Sequence, residues 1–288
     1  MGVIIVSLVT GGLYALLAVG FSLIYGTARI LNLAHTAFYM LAAYFIFVAV
    51  KMLGLNLILA AVVSILVTTL IGIVYYKLLI APIREHEITV LMVTAAAALL
   101  FQESTKQIFT SSRRAVPMFV SGSTEVIGVS VSYQYLITFG VAVVSLLVMW
   151  FWLYRTRTGT AIRCTAQDRE VANLMGINVG RICLLATAVS VALAAICGAV
   201  VAPIFIVEPH MWMHPLVMVL AVVVLGGLGS IKGSITGAFI LALAETLVAT
   251  LIPSGSFFKG AVALGVMVVV LLIRPEGLFG VVFEEERL

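Results

Sequence analysis

The sequence predicts an all-α integral membrane protein with eight or nine transmembrane helices. Three observations carry that prediction. Hydrophobic residues make up 63% of the 288 and charged residues only 10%, with a mean hydropathy of +1.25, whereas soluble domains sit near 45–50% apolar and about 25% charged. Apolar runs close to the roughly 20 residues that a membrane-crossing helix needs recur along the whole chain. Only one long segment, residues 155–181, is strongly polar. The chain therefore reads as a single transmembrane domain over residues 1–288 with little soluble mass. Its net charge of +4 reports topology rather than nucleic-acid binding.

The apolar runs fall at residues 3–25, 34–53, 56–80, 88–109, 133–154, 181–203, 215–229, 234–252 and 257–273. The first has no basic region before it and no evident cleavage site, so it is read as a retained span. The sixth carries Ala186, Ser190, Ala194, Gly198 and Ala202, one small residue every four positions. Lipid gives no hydrophobic drive for helices to pack, and small residues at this spacing let backbones approach closely. Gly229, Gly233 and Gly237 repeat the spacing into the eighth run. Packing within one subunit and packing between subunits both fit these ladders. The seventh run is short, preceded by Pro203, Pro209 and Pro215 and followed by Gly226, Gly227 and Gly229. It is a candidate for a broken or re-entrant helix, which a membrane tolerates only inside protein or beside water. The stretch 110–132 is polar, with Ser111, Ser112, Arg113, Arg114, Ser121, Gly122 and Ser123; it fits either a solvated loop or a surface for an external partner.

The polar segment 155–181 carries Arg155, Arg157, Arg163, Arg169 and Arg181 against Asp168 and Glu170. Positive charge beside membrane spans marks the cytoplasmic side. That placement puts the N-terminus outside and the C-terminus in the cytoplasm. Arg29, Lys77, Arg84, Lys232, Arg274 and Arg287 then join the five loop arginines inside, leaving Lys51, Lys106, Arg113, Arg114 and Lys259 outside. A re-entrant seventh segment would reverse everything after it. Within the loop, Thr165 followed by Asp168 reads as a helix-capping pattern, and Gly176 as a stop. Val171, Leu174 and Met175 share one face at i, i+3 and i+4. Such a helix is either a solvated connector or a knob offered to a soluble partner.

Polar groups inside the membrane are few and each is a functional candidate. Asn32 and His35 flank the start of the second run, and Glu245 lies near the middle of the eighth. Glu103 and Lys106 are three apart and can pair on one helix face. Cys164, Cys183 and Cys197 show no metal-ligand spacing, and no disulfide is expected on that side. The sequence Gly227–Ser230 with His210 or His214 superficially matches an intramembrane serine hydrolase. There is no HExxH motif, and the run GGLGSIKGS lacks the Gly-Lys-Ser/Thr ending of a phosphate-binding loop. The chain therefore does not hydrolyse ATP. Uphill transport would need an ion gradient or a borrowed ATPase; the scarcity of membrane carboxylates argues against the first, and the polar knob favours the second. A stand-alone ion-coupled carrier or channel remains the alternative reading, with the hydrolase behind it.

Four blocks, in order, carry a family resemblance: GGLYALLAVGFSLIYGTARILNLAHTAFYMLAAY at Gly11–Tyr44, RTRTGTAIRCTAQDREVANLMGINVGRI from Arg155, VVVLGGLGSIKGSITGAFI, and RPEGLFG at Arg274–Gly280. Over nearly its whole length the chain resembles the permease subunits of branched-chain amino acid ABC importers of the LivH type. The resemblance implies an inner-membrane import system of bacterial type. In it a homologous second permease (LivM type) pairs with this one, two ATP-binding subunits supply ATP and Mg chemistry, and a periplasmic binding protein delivers the substrate. No cofactor is then expected in this chain. The segment from Arg155 to Arg181 matches the family's cytoplasmic coupling loop, which assigns ATPase coupling to Ala161, Arg163, Asp168, Val171, Leu174, Met175 and Gly176. Asn32, His35 and Glu245 are the translocation or gating candidates. The family's usual Asn-Phe-Ala-His-Gly stands here as Asn32-Leu33-Ala34-His35-Thr36, and the added bulk of Thr36 leaves the substrate open among amino acids, urea, amides and aromatic acids.

Overall fold

In the computed structural model, which describes residues 2–110, 112–126, 129–251 and 255–280, the apolar runs become helices almost where hydropathy places them. These are α1 (Gly2–Ala28), α2 (His35–Lys51), α3 (Leu57–Tyr75), α4 (Glu87–Phe109) and α5 (Tyr133–Arg155). After two short polar helices, α6 (Arg157–Gln167) and α7 (Arg169–Leu174), come α8 (Val179–Val201), α9 (Met213–Gly226), α10 (Ile231–Leu251) and α11 (Lys259–Ile273). Six of these, α1, α3, α4, α5, α8 and α10, are long and apolar enough to cross a membrane. A single π-helical turn, Tyr76–Ile80, extends α3. Arg287 and Ser111 lie outside the described residues.

The seventh segment is short but not re-entrant. At 14 residues, α9 spans about 21 Å, less than the roughly 30 Å of a bilayer's hydrocarbon. Yet its two ends sit at opposite ends of the bundle. Trp212, just before it, donates its indole hydrogen to Gln102 near the end of α4 (2.9 Å). Gly229, just after it, lies against Gly26 in the last turn of α1. The chain thus makes one more pass here, and α9 can be short because protein covers it: Met218, Val219, Ala221, Val222, Val223 and Leu225 are all buried. Its last carbonyls are met by the segment after α11, where the amides of Leu278 and Phe279 donate to the carbonyls of Leu225 (2.8 Å) and Gly226 (3.0 Å). The RPEGLFG block is therefore a backbone plug on the end of α9.

Helices α1 and α8 form the buried centre. α1 packs along α10, α8 and α5, and α8 also against α2 and α3. The small-residue ladder of α8 lies in these contacts: Ala186, Ser190, Ala194, Gly198 and Ala202 are all buried. A Cβ on Gly198 would strike the Tyr39 carbonyl oxygen of α2. A Cβ on Gly233 would strike Gly226, where α9 and α10 cross backbone on backbone, and one on Gly237 would press the Val222 carbonyl. Both ladders thus serve packing within this chain. Polar side chains add interhelical fasteners, among them Ser22 to Ser234 (2.5 Å) and the Ser64 hydroxyl donating to the Ala42 carbonyl (2.6 Å). Outward, α3, α4 and α5 expose Leu66, Leu70, Leu99, Leu100, Leu147 and Val148, apolar surface suited to lipid tails.

The polar stretch 110–132 holds a feature the all-helical reading does not include. Ser123–Val126 (β1) and Val129–Ser132 (β2) pair antiparallel, with Ser123 opposite Ser132 and Val126 opposite Val129. The same stretch is tied to the α8–α9 connection by an isolated bridge between Arg114 and Val207. It marks the hairpin end of the bundle; α6 and α7 mark the other.

Candidate functional site

The hairpin end opens into a cavity of about 780 Å³, within the range of pockets that hold small ligands. Its apolar walls include Leu13 and Leu17 of α1, Val201 of α8, and Phe205 and Met211 of the α8–α9 connection. One side is polar. The Glu245 side chain, only 4% exposed, receives the Tyr14 hydroxyl hydrogen at 2.8 Å. Lys259 Nζ stands 3.6 Å and His214 Nε2 3.9 Å from its other oxygen. A carboxylate in a membrane bundle is costly unless paired or hydrogen-bonded, and here four helices combine to satisfy it: α1, α9, α10 and α11. Lys259 and His214 remain 40% and 50% exposed, so the Lys259 ammonium offers charge to the cavity as well as to Glu245.

Asn32 and His35 stand apart from this cavity. His35 is fully buried. Its Nε2 lies 3.0 Å from the Leu17 carbonyl, which can only accept, so the hydrogen is on Nε2. Nδ1 then accepts from the Ser190 hydroxyl at 3.2 Å. The imidazole is a neutral crosspiece joining α1, α2 and α8. Asn32 Oδ1 accepts from the Ala34 amide (3.2 Å) and the Tyr75 hydroxyl (3.1 Å), which fixes the turn into α2. Next to His35, the Thr36 hydroxyl is buried with no hydrogen-bond partner.

At the opposite end, α6 and α7 replace the single capped helix expected from Thr165. The Thr165 hydroxyl donates to the Ala161 carbonyl inside α6 (2.9 Å). The break comes at Asp168, whose extended backbone (φ −149°, ψ 120°) and carboxylate, accepting from the Val171 amide (2.9 Å), start α7. Asp168 is the better cap because its charge also complements the positive helix start; α6 is capped by Thr156, accepting from the Gly159 amide. Gly176 ends the unit with φ +81°, the left-handed conformation common after a helix. Ala172 is buried against the bundle, while Val171, Leu174 and Met175 point away from it, Leu174 86% and Met175 78% exposed. On α6, Ala161 is half-buried and the Arg163 guanidinium stacks 4.9 Å above the Tyr154 ring.

The rival chemistries find no support in this geometry. Ser230 lies at the α6–α7 end, where its Oγ accepts from the Gly233 amide, whereas His214 faces the cavity at the hairpin end. Glu103 and Lys106 do pair, at 3.4 Å, but on an exposed surface. Cys164, Cys183 and Cys197 are free thiols, and no group of metal-binding side chains forms among the described residues.

Residues 3–271 match the family model described as the permease component of branched-chain amino acid transport systems. The chain belongs to that family. Among characterised relatives, the permease is 30% identical to the high-affinity branched-chain amino acid transport system permease protein BraD of Pseudomonas aeruginosa, covering 95% of this chain and 93% of that one. It is 27% identical to the corresponding LivH proteins of Escherichia coli and Salmonella typhimurium, over 94% of this chain and 92% of each. Two solved structures share its fold at lower identity. One is PsaBC of Streptococcus pneumoniae (16% identity, TM-score 0.51, 94% of this chain and 91% of that one). The other is a metal-chelate type ABC transporter in an inward-facing conformation (13%, TM-score 0.53, 94% and 85%). The permease is thus an integral membrane component of a branched-chain amino acid transport system.

The partners of Glu245 were not assigned by the sequence. Tyr14, His214 and Lys259 meet Glu245 from runs that are remote in the chain, so their convergence is set by tertiary arrangement. The polar residues at helix starts were a usable hint: His214 and Lys259 each open a span.

Proposed function

We propose that this chain forms part of the translocation pathway of an ATP-driven importer for branched-chain amino acids or related small solutes, in a bacterial inner membrane. The α6–α7 end faces the cytoplasm, so the N-terminus and the Glu245 cavity face outside and the C-terminus inside. The observation that carries this reading is α7: a capped helix with Leu174 and Met175 almost wholly exposed, held on an arginine-rich segment at the end opposite the cavity. Exposed apolar side chains at the tip of a membrane bundle suit docking to a soluble motor. Two ATP-binding subunits, which bind ATP and Mg, dock there. A homologous second permease of the LivM type completes the pathway, and a periplasmic binding protein releases substrate above the outer cavity.

In this mechanism the motors pull or push α7, whose Arg169 is bonded to the Thr27 carbonyl at the end of α1 (3.0 Å). α1 runs from that contact to Tyr14 and Glu245, so a shift of α7 reaches the cavity through one helix. Alternating access follows when the bundle closes at one end as it opens at the other. The names of BraD and LivH support a branched-chain amino acid as cargo, and the apolar walls beside a charged pair fit a zwitterion with an aliphatic side chain. Uptake of labelled leucine, isoleucine and valine into proteoliposomes holding the assembled transporter tests this: it should require ATP and the binding protein. Uptake by the permease alone, driven by an ion gradient, would reject it.

A further inference from the structure

A second cavity, at the α6–α7 end, has a lining that transport does not explain. It encloses about 640 Å³ and receives Arg29 from beyond α1, Arg84 from the turn before α4, and Arg169 from the start of α7. All three arginines are half-buried, while the carboxylates on its rim, Glu85, Glu87 and Glu170, are exposed. None of these carboxylates forms an ion pair with Arg84 or Arg169. Arg169 gives its Nε hydrogen to Thr27, but its Nη2 is buried with no hydrogen-bond partner. A guanidinium carries five donors, and a buried charged donor left unmet is costly. Burial lowers the Arg169 pKa from its ordinary range, and the charges of Arg29 and Arg84 push the same way. The group stays cationic nonetheless, and its charge stands beside that of Arg84 with no carboxylate paired to either.

Two further features aim at the same space. Val179 and Gly180, the first residues of α8, line the cavity, and the leading amides of a helix present free hydrogens and a positive dipole end. Arg84 Nη1 lies close to Gly180. Arg29 adopts φ +50°, a left-handed backbone unusual for a residue other than glycine.

We propose that this cavity is an anion site that binds a phosphate group, gripped by Arg84 and Arg169 beside the start of α8. The planar guanidinium fork matches phosphate oxygens two at a time, and the cavity exceeds the needs of a monatomic anion. The phosphate comes either from an anionic phospholipid headgroup, reaching in where the helices end, or from the solution. Arg84 stands on the approach to α4 and Arg169 at the start of α7, so the bound anion fastens α7 to the bundle. That consequence for transport rests on the coupling reading above; the binding does not.

The test uses the full-length permease in nanodiscs, without ATP-binding subunits. Its melting temperature is followed in phosphatidylcholine alone, in phosphatidylcholine with graded phosphatidic acid, and in phosphatidylcholine with graded inorganic phosphate. Protection in the phosphatidic acid arm alone assigns the headgroup, and protection by free phosphate assigns the soluble anion. In whichever arm protects, Arg84→Gln and Arg169→Gln should weaken the apparent affinity about tenfold, as expected for loss of a charged hydrogen-bonding fork. Arg113→Gln, at the other end, should leave it unchanged. Glu170→Gln should tighten binding, a gain that a damaged fold cannot produce. Absence of protection in both arms, or equal weakening by Arg113→Gln, overturns the proposal. Because no motor is present, either result leaves the coupling reading to its own test.

Discussion

Tyr14 donates its hydroxyl hydrogen to Glu245 across 2.8 Å, joining α1 to α10 at the polar side of the hairpin-end cavity. The residues are 231 positions apart, and the bond gives Glu245 a partner that a mid-membrane carboxylate needs. It makes the carboxylate a structural anchor first. Glu245→Gln keeps the shape and an acceptor for Tyr14, so it should assemble and retain most uptake. Glu245→Leu strands the Tyr14 hydroxyl and the Lys259 ammonium, and should lower stability by about 1–3 kcal/mol. Thermal unfolding and uptake of the two variants decide the matter. Equal loss of uptake in both, with normal assembly, would mean that the ionised carboxylate itself takes part in transport.

Glycine tolerance should follow backbone proximity. Gly198 meets the Tyr39 carbonyl and has no room for a side chain. Gly198→Leu should therefore separate α2 from α8 and destabilise by about 1–3 kcal/mol or more. Gly140 in α5 has open space around it, so Gly140→Ala should be neutral or stabilise the helix by up to about 1 kcal/mol. Melting temperatures in detergent compare them; a Gly198→Leu protein as stable as Gly140→Ala would show that α2 and α8 are not in close contact.

His35 and Thr36 make a contrasting pair. Removing the Ser190 hydroxyl with Ser190→Ala deprives His35 Nδ1 of its donor, at a cost of about 0.6–1.7 kcal/mol for such bonds in a membrane. Thr36→Val removes a buried hydroxyl that has no partner and keeps the side-chain shape, so stability should hold or rise. Thermal scans of both variants provide the check. A loss for Thr36→Val comparable with that for Ser190→Ala would reveal a partner for the Thr36 hydroxyl.

What the sequence disclosed follows from the range of each signal. Helix positions were legible because burial in hydrocarbon demands long apolar runs, and the observed helices begin and end within a few residues of those runs. The close packing of Gly198, Gly233 and Gly237 was legible as spacing, but whether it lay within or between chains was not, since the partner backbones of Tyr39, Gly226 and Val222 are set by tertiary arrangement. The cap was misplaced by three residues because Thr165 and Asp168 are both capping types and only the backbone break at Asp168 chooses between them. The hairpin at 123–132 escaped because two four-residue strands carry too little pattern to rise above a polar loop. The role of RPEGLFG needed the end of α9 beside it. The convergence of Arg29, Arg84 and Arg169 likewise needed three segments remote in the chain brought to one cavity.

The most direct test of the account is substrate-stimulated ATP hydrolysis and uptake by the assembled transporter carrying Leu174→Asp. Leu174 is 86% exposed and touches little of the permease, so the variant should insert and melt like the parent. Placing a charge on the proposed docking face should cost the apolar contact proposed with the motor and desolvate an unpaired carboxylate. The account predicts at least about a tenfold fall in both uptake and stimulated hydrolysis, the equivalent of about 1.4 kcal/mol of lost coupling. Unchanged uptake and hydrolysis in a transporter that carries Leu174→Asp would contradict it.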